Sequence, residues 1–181
     1  MLPIAVTLAL TAALQAQSPT PAGAPDLSDP EVAHVAVTAN SIDIDMAKFA
    51  QTRTRNAAVK QFAATMITDH TAVNAQAAAL ATKLGVTPAD NAVSQSLESG
   101  AKEARSSLEA LHGAAFDRAY MDREVAYHQA VLDAIDKVLV PTTDNAELRK
   151  LLVDVRPAIA THLEHAKQLR SQLGAPARTG T

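Results

Sequence analysis

The chain is 181 residues long, carries a formal net charge of −3 with acidic and basic residues interspersed, and contains 48% apolar but only 3% aromatic residues and no cysteine. That length suits one domain with a real core, and the charge pattern excludes the basic footprint of a nucleic-acid partner. Without cysteine there are no disulfides, no thiolate metal sites and no lipid-modified N-terminal cysteine.

The N-terminal run LPIAVTLALTAAL has the length and apolarity of a secretory signal, and a small residue, Ala16, follows at a peptidase-compatible position, although no Lys or Arg precedes the run. It is too short to cross a bilayer comfortably, and no second apolar span follows. Residues 1–16 are therefore expected to be a signal peptide, and the mature protein to be exported, periplasmic or outer-membrane associated, with no transmembrane span. Residues 17–27, rich in Pro, Ser and small side chains, read as a flexible linker, and 174–181 as a disordered tail. The folded unit is expected over 28–173.

Within it, Ser28 and Glu31 have the spacing of a capping box and open a first helix reaching about Arg53, with an apolar stripe Val35, Ala39, Ile42, Met46, Phe49. A second helix starts near Asn56 and stops at Gly85, a residue suited to a left-handed C-cap, with Pro88 behind it. The link between the two is very short, so they should be antiparallel neighbours. A shorter third helix carries Val93, Leu97, Ala101, Ala104 and Leu108. The fourth runs from about Ala114 to Leu139 and is expected to stop at Val140-Pro141; the fifth opens at Asp144, with Glu147 three residues on, and is expected to bend at Pro157. Alanine replaces most of the missing aromatic bulk, which favours helices packed at close range. The fold class is thus all-α: a four-helix bundle with a short additional helix in a long crossover between the second and third long helices, the ferritin-like topology.

Three of the six histidines sit in register with apolar stripes on three different long helices. His162 continues Leu148, Leu152, Val155, Ile159; His70 follows Val59, Phe62, Met66; His128 follows Met121 and Val125. At a rise of about 1.5 Å per residue, His70 and His128 lie roughly 21 Å above the junction of the first two helices, His162 and Glu124 roughly 15 Å and Asp43 about 16 Å above it, which is one layer within a helical turn. Asp43 and Asp45 flank the first helix's stripe on opposite sides, so one can reach inward. Imidazoles and carboxylates converging in a bundle are ligand chemistry for iron, copper, zinc or manganese, and equally the makings of a buried polar layer. The candidate metal ligands are His70, His128, His162, Glu124 and Asp43. No helix carries the Glu-x-x-His pair of a di-iron carboxylate site. His34, His165 and Glu164 fall off the layer, Arg156 reads as a solvated side chain with pairing to a buried carboxylate as the alternative, and no phosphate loop, nucleophile elbow or zinc-protease motif is present.

Phe62, Ala63, Met66, Asp69 and His70, then Phe116, Asp117, Tyr120 and His128, then Pro157, His162 and Ala166 together resemble the bacterial family called domain of unknown function 4142. The likeness covers about Leu27 to Leu173. It implies a ferritin-like fold and export, with members described as outer-membrane or secreted proteins, and brings no established activity. Asp43 and Asp45 stand where members of that family commonly carry glutamates. The expectations are accordingly an exported metal-binding bundle, or a non-catalytic envelope or stress protein with a structural histidine layer. A helical partner-binding module is a third reading, and its sign would be an uncovered apolar stripe on the third helix.

Overall fold

A computed structural model describes residues 25–174; the expected signal peptide, most of the linker and most of the tail lie outside the described residues. The first ordered contacts come one residue earlier than expected. Leu27 is buried with Val32 in the same apolar cluster, which pins the start of the first helix as a hydrophobic staple. Glu31 then accepts hydrogen bonds from the Ser28 amide at 2.9 Å and the Ser28 hydroxyl at 2.6 Å. Helix α1 follows over Asp29–Arg53.

Helix α2 spans Ala57–Leu84, with the Asn56 side chain accepting from the Ala58 and Val59 amides. It ends at Gly85, whose φ of 66° is the left-handed conformation that lets the Val86 amide bond back to the Ala81 carbonyl at 3.0 Å. Helix α3, Ala92–Glu109, is capped by Asn91 and packs across α1. Arg53, at the end of α1, closes the C-terminus of α3 by donating to the carbonyls of Glu109 and Leu111.

Helix α4 begins as Gly113–Ala134 and departs from expectation at its end. It does not stop at Val140-Pro141 but widens into a π-helical turn over Ile135–Leu139 and continues through Val140–Thr142. A proline within an α-helix lacks the amide for the i−4 bond, and its ring presses on that carbonyl. Here the Val140 amide bonds five residues back, to Ile135, so the chain has already left α-register when Pro141 arrives. Helix α5, Ala146–Gly174, contains Pro157. Its cap is Asn145, accepting from the Glu147 and Leu148 amides, and not the expected Asp144. Asp29 accounts for the shift, because its two carboxylate oxygens take the amides of Asp144 and Asn145 at 2.9 Å each.

These elements form the expected all-α bundle. Helices α1 and α2 make one hairpin, α4 and α5 the other, and α3 lies in the crossover between them. The core divides in two. Phe49, Phe62, Phe116 and Tyr120 gather with Met46, Met66 and Met121 in one half, with Phe49 and Phe116 edge-to-face at 5.7 Å and Phe116 stacked on Tyr120 at 6.2 Å. The other half is aliphatic: Val32, Val35, Leu132, Ile135, Leu148, Leu152 and Ile159. On α1 the inward face is rotated from the predicted stripe, burying Val32, Asp43, Ala47 and Ala50 and leaving Ala39 and Ile42 partly exposed. The stripe of α3 is covered, since Val93, Leu97 and Ala104 pack on the two core halves. Among the described residues the one large apolar side chain left exposed is Val153. No described helix is long and apolar enough to cross a membrane.

Candidate functional site

Between the two core halves lies a polar layer. Register with the apolar stripes carries His70, His128 and His162 inward from α2, α4 and α5, and all three are buried. Their ring centroids are 5.3 to 5.8 Å apart, and each ring offers a nitrogen within 4.8 Å of the others. The depths expected from helix rise therefore hold to within one turn.

Each imidazole is held from outside by a group that fixes its tautomer. The Asn40 side-chain amide donates to the Ala36 carbonyl, so its oxygen faces His70 and accepts from Nδ1 at 2.6 Å. His128 donates through Nδ1 to the Glu124 backbone carbonyl at 2.9 Å. His162 donates through Nε2 to Asp69 at 2.9 Å. An acceptor on one ring nitrogen leaves a lone pair on the other. The remaining nitrogens, His70 Nε2, His128 Nε2 and His162 Nδ1, are all buried and have no hydrogen-bond partner among the described residues.

Asp43, fully buried on α1, adds a carboxylate to this group. Its Oδ2 lies 3.1 Å from His70 Nε2 and 4.0 Å from His128 Nε2, without hydrogen-bond geometry to either, and is itself unpartnered. Asp45, the alternative on the other side of the stripe, is exposed and within 3.6 Å of Lys48. The Oδ1 of Asp43 accepts from Arg123 Nη1 at 3.1 Å, and the same nitrogen donates to Glu124 Oε1 at 2.5 Å. Glu124, expected among the ligands, is thus engaged by Arg123 through one oxygen, while its buried Oε2 has no partner. Asp43, Glu124 and His128 form a second set of donors within 4.8 Å of one another.

Burial dominates the protonation of the layer. It drives the His70 imidazole down to about 4 against the opposing pull of Asp43, and it lowers His128 as well. Burial would also raise Asp43, but attraction to His128, His70 and Arg123 outweighs it, and the carboxyl stays below its usual range. Glu124 is pushed well above the carboxylate range by burial and by the charge of Asp43. Burial thus favours the neutral forms of His70 and His128 and the protonated form of Glu124, while Asp43 is held as the carboxylate that faces Arg123.

The aliphatic half of the bundle is not closed over this layer. A cleft of about 730 Å³ runs between the hairpins past Leu84, Leu148 and Leu152 and reaches His70 and His128. The residues set aside stay apart from it. His34 lies 4.0 Å from Asp90, the exposed His165 meets Phe62 edge-to-face at 5.2 Å, and Arg156 forms an exposed two-pronged pair with Asp136 at 2.6 and 2.7 Å. Asn40 and Arg123 are the functional neighbours that the sequence alone does not reveal. Asn40 precedes Asp43 by three positions, on the same helical face, and Arg123 stacks its guanidinium 4.2 Å from the Tyr127 ring one turn on.

Fold and layer together define a helical bundle with a buried histidine and carboxylate centre. Residues 13–169 match the family model described as a domain of unknown function (DUF4142), and the chain belongs to that family. No curated protein matches the sequence. Among solved structures the chain is similar to CopM in the Cu(II)-bound form, with a TM-score of 0.61 at 15% identity, covering 82% of this chain and 99% of that one. That likeness is one of fold.

Proposed function

We propose that the protein is an exported binder of a single transition-metal ion, held by the inward nitrogens of His70, His128 and His162 and by Asp43 Oδ2. One observation carries this reading: three buried imidazoles converge, each with an unpartnered nitrogen, and the unpartnered Asp43 Oδ2 lies 3.1 Å from His70 Nε2 and 4.0 Å from His128 Nε2 without a hydrogen bond to either. A structural polar layer would satisfy both nitrogens of a neutral imidazole, and an unpaired buried polar atom costs about 1–3 kcal/mol. Here each ring satisfies only its outer nitrogen. Outer acceptors that orient ligand imidazoles are the usual support of a metal site, and Asn40, the Glu124 carbonyl and Asp69 stand in those positions.

Three imidazoles and one carboxylate suit copper, zinc or iron better than manganese, and affinity at such sites peaks at copper. CopM, similar in fold, was solved with Cu(II) bound, which makes copper the first ion to test. The bound ion would supply a charge centre and, if redox-active, an electron site; the chain supplies the donors, their orientation and an aliphatic wall. Export is supported by the apolar N-terminal run and is checked by intact mass of the expressed protein, where cleavage near Ala16 is expected.

The decisive measurement is metal content. Protein purified without a histidine tag, incubated with copper, zinc, iron or manganese salts and desalted, should retain one ion per chain, and His70→Ala/His128→Ala should retain none above the surface background. Equal retention by both would sink the proposal.

A further inference from the structure

The second donor set, Asp43, Glu124 and His128, is as close-knit as the first and differs in one respect: a cation from the chain is already in it. Arg123 Nη1 sits 3.1 Å from Asp43 Oδ1 and 2.5 Å from Glu124 Oε1, joining two carboxylates that are both fully buried. Carboxylates shared in this way in bundle cores commonly bridge two metal ions. In this protein the bridge is made by a guanidinium, which is planar, always charged and matched to two carboxylate oxygens.

We infer that Arg123 occupies the place of a second metal ion, so that the centre is built to hold one ion and Arg123 alone keeps a second out. This rests on the metal reading of the histidine layer. Three features support it beyond the carboxylate cluster itself. Glu124 Oε2 is buried and unpartnered, an oxygen that Arg123 leaves unused and that becomes a donor when an ion displaces the carboxyl proton. The guanidinium is held in place from the far side by the face of Tyr127, whose hydroxyl donates to the Ala39 carbonyl at 2.8 Å, so it is fixed to both α4 and α1. Asp43 serves both sets, giving Oδ1 to Arg123 and turning Oδ2 toward His70, so an ion in either set adjoins the other.

The test counts ions and asks whether they are neighbours. Copper(II) chloride is added in excess to wild type, Arg123→Lys and Arg123→Gln, and the desalted proteins are examined by metal analysis and electron paramagnetic resonance. Wild type and Arg123→Lys are expected to show a single isolated Cu(II), because each retains a cation beside the carboxylates. Arg123→Gln is expected to take up a second ion that couples magnetically to the first, so the isolated signal falls while metal content rises. Copper on surface histidines gives isolated signals and cannot imitate a coupled pair. A coupled pair in wild type overturns the inference on unmodified protein, whether or not the glutamine variant folds. A folded Arg123→Gln that still holds one uncoupled ion overturns it too, leaving single-ion binding intact. If wild type retains no copper, zinc, iron or manganese, the metal reading itself has failed and this inference with it.

Discussion

Asp69 shows how much a single side chain outside the centre can matter. Its carboxylate is about half exposed, yet it alone fixes which nitrogen of the buried His162 turns inward. Replacing such an orienting partner typically weakens metal affinity 10–100-fold. Asp69→Ala should therefore bind copper in that range more weakly with an unchanged helical spectrum, as measured by competition with a chelator of known affinity; unchanged affinity would show that the ring is held by packing. His162→Leu tests the orphaned ring nitrogen directly. In metal-free protein it removes an orphaned ring nitrogen and should leave stability near neutral or raise it, whereas His162→Ala opens a cavity and should cost about 2 kcal/mol by urea unfolding. Acid should also be felt first here. His70 falls from the ordinary 6.5 to about 4 on folding, facing Asp43, His128, His162 and Asp69. Between those values the unfolded chain binds a proton that the native one refuses, so stability present above pH 6.5 is lost as pH falls toward 4, by at most about 3 kcal/mol. Metal-free protein unfolded in urea across that range should show this slope, and a flat profile would refute it. The histidines themselves were legible because period alone places them inward. The presence of Asn40 and Arg123 was not, since their places depend on how α1 is rotated against its partners.

At the scale of elements, local chemistry predicted existence and order better than ends. Asn56 and Gly85 mark the limits of α2 because each has a backbone role few other residues fill. Asp144 and Asn145 are adjacent residues of nearly equal capping power, and Asp29, distant in sequence, decides between them by engaging both amides. The run to Thr142 was hidden for a related reason, since a proline signals the end of an α-helix but not the π-turn that accommodates it. The cap assignment has a measurable consequence. Asn145→Ala should lower stability by about 1 kcal/mol, while Asp144→Ala should change little, and reversed values in thermal unfolding would contradict the hydrogen-bond pattern.

For the whole molecule, the unequal halves of the core matter more than the helix count. Four aromatic rings and three methionines fill one side of the polar layer, whereas the other side encloses a cleft whose lining lacks partners for part of its surface and so forgoes dispersion contacts. Stiffness should follow filling. Amide hydrogens of Val59–Met66 are expected to exchange more slowly than those of Ala77–Leu84 and Leu148–Leu152, in metal-free protein at equal depth from solvent. His70 and His128 belong to both regimes, anchored on the stiff side and bordering the compliant one. Small breathing motions of the aliphatic half would then suffice to uncover the donors, so the pace of loading and release would be set by local opening of one half while the other keeps the donor geometry ready.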